Sequence, residues 1–283
     1  MQSKLSMLKN MLWAICIIVC LIALLIGFIV ASAAKCPGEQ ENGTLYLSGE
    51  PEKDSDSKKG DKSADDAEAA QDFTPGEIKE LPESSDAGQG YIDSITFLTD
   101  STLLALRDNG LLTGGIATNQ VWASEAGNIP ANTIGDFNIV NPKDGVLMPA
   151  SMAAGINKPQ TLVIALGMDG LANVTKTDFV KNYTSLINAI KAESPDTTII
   201  CCSPTSVSSF YPSLDGVTVA MALDLKDWVK EVCSNTGAYF ADIMSVVCDV
   251  SGTLGSDFSA ANGKAINSAG LSEILLYLRT HKP

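Results

Sequence analysis

The stretch Ile95-Thr96-Phe97-Leu98-Thr99-Asp100-Ser101-Thr102-Leu103-Leu104 decides the fold. Residues 95–98 form a short run of apolar and β-branched side chains, the pattern of a buried strand. Residues 101–108 follow as an expected short helix. A serine at a strand-to-helix corner stands out above the sheet edge, which is how many hydrolases present a nucleophile. A serine hydroxyl is a weak nucleophile unaided, so a base has to lie within hydrogen-bond reach. The chain owns one histidine, His281, third from its C-terminus.

Outward from this corner, the pattern repeats. Thr-Leu-Val-Ile-Ala-Leu at 161–166, bounded by Pro159 and Gly167, reads as a strand buried on both faces. Residues 177–192 carry Phe179, Val180, Tyr183, Leu186, Ile187 and Ile190 on one stripe of 3.6-residue period, a helix ended by Pro195. A strand is expected at 197–202, a helix at 217–233, a strand at 239–241, and a closing helix at 268–280 with Ser268 as its N-cap. Residues 144–156 read as a further helix. Strands alternating with helices argue for a parallel sheet covered on both faces. Ligands in such folds bind at the carboxyl ends of the strands, where 99–101 and 167–170 both fall.

The 283 residues carry a net charge of −14, unevenly spread. Residues 11–34 are almost wholly apolar, about the length that crosses a bilayer as a helix. Lys4 and Lys9 precede this run, so residues 1–10 are expected in the cytoplasm and the rest outside. An uncleaved signal anchor is favoured over a cleaved signal peptide, for which Ala31-Ser32-Ala33 would be the cleavage site. Residues 35–90 hold 15 Asp and Glu against 6 Lys and Arg, with few aromatic or branched residues, and read as a disordered acidic linker. Residues 91–283 are long enough for one substantial core. Their 18 acids against 11 bases exclude a nucleic-acid face, which needs a basic patch. No C-x-x-C pair occurs, so no metal site and no cofactor are expected. Cys201, Cys202, Cys233 and Cys248 read as small buried residues, with one disulfide among them left open for a domain outside the cytoplasm.

Three segments, in order and spacing, resemble the SGNH/GDSL hydrolases across essentially all of 91–283. Phe97-Leu98-Thr99-Asp100-Ser101 is similar to the family's Gly-Asp-Ser block. Leu162 to Gly170 is similar to the strand that leads to Gly-x-Asn. Asn262-Gly263-Lys264-Ala265-Ile266-Asn267, with the helix after it, is similar to Asp-Gly-x-His-Leu and the closing helix. Val121-Trp122 and Ser194-Pro195-Asp196-Thr197 resemble a membrane-anchored Firmicutes branch. The resemblance implies a three-layer, flavodoxin-like parallel sheet preceded by one transmembrane helix and a linker.

Carried over residue by residue, the resemblance implies a remnant site. Ser101 stands at the nucleophile position. Thr99 replaces the glycine before it, bringing a β-branched side chain where unusual dihedrals are tolerated. Asp169 replaces the asparagine that donates to the oxyanion; ionised, it only accepts hydrogen bonds. Asn262 and Ala265 replace the triad Asp and His. His281 lies 16 residues beyond Ala265, and the helical part of that interval spans about 20 Å, so it reads as a helix-terminal residue and not a base. Trp122 reads as a core residue before a sugar-stacking one. The leading expectation is a membrane-anchored pseudohydrolase binding cell-surface glycan or a protein partner. The alternative is a non-standard ester hydrolase or deacetylase acting on envelope polysaccharide, with Ser101 activated by Asp257 or Asp169.

Overall fold

The computed structural model describes residues 76–283. The expected cytoplasmic tail, membrane span and most of the linker lie outside the described residues. Within 76–283, no helix is long and apolar enough to cross a membrane.

Six strands form one parallel sheet: β1 (Lys79–Glu80), β2 (Ile95–Thr99), β3 (Val121–Trp122), β6 (Thr161–Ala165), β7 (Thr198–Cys202) and β8 (Tyr239–Ala241), in the spatial order β1-β8-β7-β6-β2-β3. β4 (Asn138–Val140) and β5 (Leu147–Pro149) make a separate antiparallel pair. The helices are α1 (Gly88–Asp93), α2 (Ala105–Asp108), α3 (Ala150–Asn157), α4 (Lys176–Glu193), α5 (Val219–Thr236), α6 (Met244–Val247) and α7 (Ser268–Thr280).

Strand side chains alternate between two cores, as a period of two requires. Leu162 and Ile164 of β6 and Ile199 and Cys201 of β7 face α3, α4 and α5. Val163, Ala165, Ile200 and Cys202 face α1, α2 and α7. Helices on both faces give three layers, as the strand–helix alternation predicts. Each strand of the sheet runs the same way, so Thr99, Ala165 and Cys202 all end on one edge.

Three details depart from the sequence reading, and one agrees with it. The sequence reads residues 76–90 as linker, yet Lys79 and Glu80 pair with Tyr239 and Phe240, and Leu81 donates its N–H to Phe240 O at 2.9 Å. This edge strand buries only Leu81 and leaves its two charged residues in water, so its composition reads as linker. The helix expected at 144–156 is the β4–β5 hairpin followed by α3. Asp144-Gly145 makes the turn with Gly145 at φ 72°, and Pro149 occupies the N-cap position of α3. Val121-Trp122 is a strand, and Trp122 is 2% exposed, in the core as expected. The cap of α7 is Asn267, whose side chain accepts the Gly270 N–H at 3.0 Å, and Ser268 is the first helical residue.

Candidate functional site: a serine closed on a carboxylate

Ser101 lies at the carboxyl edge of β2, on a turn and not in a helix. α2 begins only at Ala105 because side chains capture the N–H groups that precede it. Asp100 Oδ1 accepts the Thr102 N–H at 2.9 Å, and Thr99 Oγ1 accepts that of Leu103 at 3.0 Å while donating to Asp100 O. Thr99 is therefore the clamp of this turn. Among the described residues, the non-glycine residues with positive φ are Lys158, Ser206 and Ser213, so neither Thr99 nor Ser101 is held in a left-handed conformation.

Asp100 is fully buried and joins the ends of β2 and β6. Its Oδ2 accepts N–H groups from Gly167 at 2.9 Å, Met168 at 3.1 Å and Asp169 at 3.4 Å. Burial first, and then the nearby Asp169 charge, push its carboxyl up to about 6, while the bonds from Thr102 and Gly167 pull the other way. Gly167 has φ 118°, and a Cβ there would sit 2.8 Å from the Phe179 ring, so only glycine fits this turn.

The turn that Asp100 holds returns the favour. The Asp169 carboxylate accepts the Ser101 hydroxyl on Oδ1 at 2.5 Å and the Ser101 N–H on Oδ2 at 3.0 Å. Oδ2 also accepts the Ile129 N–H at 3.3 Å. Two backbone donors and one hydroxyl donor thus converge on an anion that the chain itself supplies.

Beside Ser101 opens a cavity of about 170 Å³, lined by Ser101, Thr102, Met168, Thr205, Asn262, Lys264 and Ala265. The residues read as remnants do come together here. Asn262, however, turns its Oδ1 to its own loop, accepting N–H groups from Lys264 at 3.0 Å and Ala265 at 2.9 Å. Ala265 offers a methyl group. Lys264 pairs with Asp215 at 2.5 Å, and Asp215 in turn accepts the Tyr211 hydroxyl. That pairing joins loops about fifty residues apart, and only the position of Lys264 between Asn262 and Ala265 hinted at its place in the cavity wall.

His281, expected at a helix end, and Asp257, offered as a base, both lie elsewhere. His281 stacks on Tyr277 with centroids 4.1 Å apart, its Nδ1 lies 3.0 Å from Tyr277 O, and its backbone bridges Glu83. Asp257 is exposed; its backbone carbonyl accepts from Asn267 Nδ2, and its side chain lines no part of the Ser101 cavity. Among the described residues no group of three His, Cys, Asp or Glu could hold a metal ion.

The sheet order and this edge define the class: a three-layer α/β domain on a parallel sheet, with a serine on the turn after its second strand. Solved structures are similar to it over about two thirds of the chain. One is described as a proposed platelet activating factor from Streptococcus pneumonia, 14% identical over 66% of this chain and 82% of that one, with a TM-score of 0.49. Another is a proposed G-D-S-L family lipolytic protein from Desulfitobacterium hafniense, 13% identical over 65% and 97%, TM-score 0.44. A third is a carbohydrate esterase of family 3 from Talaromyces cellulolyticus, 16% identical over 65% and 93%, TM-score 0.41. No family model matches the chain, and no curated protein does.

Proposed function

We propose that this chain is a membrane-anchored, extracytoplasmic pseudohydrolase that binds cell-surface glycan or a protein partner through the Ser101 cleft without turning it over. The observation that carries this reading is the Asp169 carboxylate lodged on the Ser101 and Ile129 N–H groups. Acyl transfer by a serine develops negative charge on the substrate oxygen, and catalysis requires free, preorganised donors at that point. Here the Ser101 and Ile129 donors beside the hydroxyl are occupied by a carboxylate, which would repel the developing charge. The loss of one such donor alone costs about 10²–10³ in rate. No imidazole reaches Ser101, since Ala265 and Asn262 supply none and His281 is bound to Tyr277.

One contact favours a second reading. The Ser101 hydroxyl already donates to Asp169 at 2.5 Å, so a carboxylate could take its proton in an ester hydrolase or deacetylase acting on envelope polysaccharide. This reading ranks second because the carboxylate that would serve as base is the one that occupies the donors.

Turnover of a short-chain aryl ester by the purified full-length chain separates the two. The pseudohydrolase reading expects rates equal for the native chain and Ser101→Ala. A rate well above background that Ser101→Ala abolishes overturns it in favour of the carboxylate-assisted enzyme.

A further inference from the structure

Outside the cleft lining, the core between β7 and α5 holds an unused pair of thiols. Alternation along β7 sends Cys201 into the core shared with α4 and α5 and sends Cys202 to the other face. Cys233, on the inner stripe of α5, lies in the same core as Cys201. Both side chains are essentially unexposed. The Cys233 thiol donates to Tyr239 O at 3.5 Å, and Tyr239-Phe240 of β8 lies in register with Ile200-Cys201 of β7, which sets the Cys233 thiol beside Cys201. Tyr183 of α4 is buried in the same core, its hydroxyl donating to Ile164 O at 3.5 Å. Cys248 is engaged elsewhere, with its thiol on Thr205 O at 3.3 Å.

We propose that Cys201 and Cys233 are a disulfide-forming pair, closed during folding by a disulfide oxidant and tying β7 to α5. In the reaction, a thiolate of one cysteine attacks a small-molecule disulfide such as glutathione disulfide and releases one glutathione. The second cysteine then attacks the mixed disulfide and releases the other. One oxidant is consumed, two cysteine protons pass to two glutathione molecules, and one S–S bond forms. The contact with Cys201 and burial both raise the Cys233 thiol above its ordinary range, so the folded reduced protein holds little thiolate to attack. Closure therefore belongs to the folding chain, before this core seals. In the cell the bond rests on the extracytoplasmic location proposed above, because such bonds persist in oxidising compartments.

The test is refolding of the full-length chain in detergent from denaturant, in a glutathione redox buffer, followed by alkylation and peptide mapping. This experiment does not depend on location, so its failure is distinct from a failure of the anchor reading. The expected result is one linked peptide pair containing Cys201 and Cys233. Fragment ions that break the chain between Cys201 and Cys202 tell the neighbours apart in the native sequence, so no variant is needed. A reductant should lower the Tm of the oxidised protein by roughly 5–15 °C, as expected for a closed loop of about thirty residues. The same reductant should leave the Tm of Cys233→Ala unchanged. Full alkylation of Cys201 and Cys233 after refolding, or a bond that uses Cys202 or Cys248 instead, overturns the proposal.

Discussion

The two walls of the Ser101 cavity are built on different principles. One wall, the ends of β2 and β6, is a reciprocal exchange. Asp100 takes N–H groups from the Gly167–Asp169 turn, and Asp169 takes the N–H and hydroxyl of Ser101. Its carboxylates leave the neighbouring backbone donors satisfied, and Asp100 is fully buried. The other wall, residues 260–267, is a loop whose polar side chains serve the loop. Asn262 holds its own turn, Asn267 caps α7, and Lys264 ties to Asp215. A hydrolase site needs both walls to aim at the serine. Here one aims a carboxylate at it and the other aims nothing, and the proposed pseudohydrolase reading rests on that arrangement.

The contrast can be broken by substitution. Asp100→Ala strips four N–H groups of their acceptor in a buried place and should cost about 3–5 kcal/mol of unfolding free energy in a denaturant titration. A loss below about 1 kcal/mol would mean that the β2–β6 wall is not the rigid one. Gly263→Ala comes next, at about 1–3 kcal/mol. Gly263 has φ 76°, and a Cβ there would lie 2.6 Å from Ser208 Oγ and 3.0 Å from Tyr211 Cα. Asn267→Ala should cost about 1 kcal/mol as a lost N-cap. Lys264→Ala should cost less than about 1 kcal/mol, because its ion pair with Asp215 is partly open to water.

A pH series sharpens the same comparison. The Asp100 carboxyl is raised in the fold from 3.8 to about 6. Its contribution to stability is therefore fully present below 3.8 and is lost as the pH rises through about 6. Asp86 and Asp249, lowered by the Arg279 and Ser251 hydrogen bonds respectively, act in the opposite sense and lose stability as the pH falls below 3.8. Asp100→Asn should remove the slope between pH 4 and 6 while leaving the acid limb in place. An unchanged slope would show that Asp100 does not titrate in that range.

Much of this architecture was legible from hydrophobic period. The runs at 95–98, 161–166 and 197–202 and the stripes of α4, α5 and α7 carry strong patterns because one or both faces are buried. The hairpin at 138–149 was not legible. Val146, Leu147 and Met148 follow a turn and precede Pro149, and three apolar residues in a row fit a helix as well as a strand. At the site, Ser101 stood out because it follows the apolar run 95–98 at a strand-to-helix corner, and Asp169 only through the family resemblance. Of the two carboxylates the sequence reading offers as partners of Ser101, Asp169 meets the hydroxyl across 68 positions and Asp257 does not, a choice that composition alone does not make. Thr99 read as an obstruction to an unusual backbone conformation. The backbone there is ordinary, and its hydroxyl instead caps the turn.

The central claim is that Ser101 is held by Asp169 as part of a fixed wall and is not an activated nucleophile. Incubation of the full-length chain with a serine-reactive fluorophosphonate, read by intact mass, tests this most directly. The account predicts a mass unchanged from the untreated protein. A single adduct that maps to Ser101 and vanishes in Ser101→Ala would contradict it.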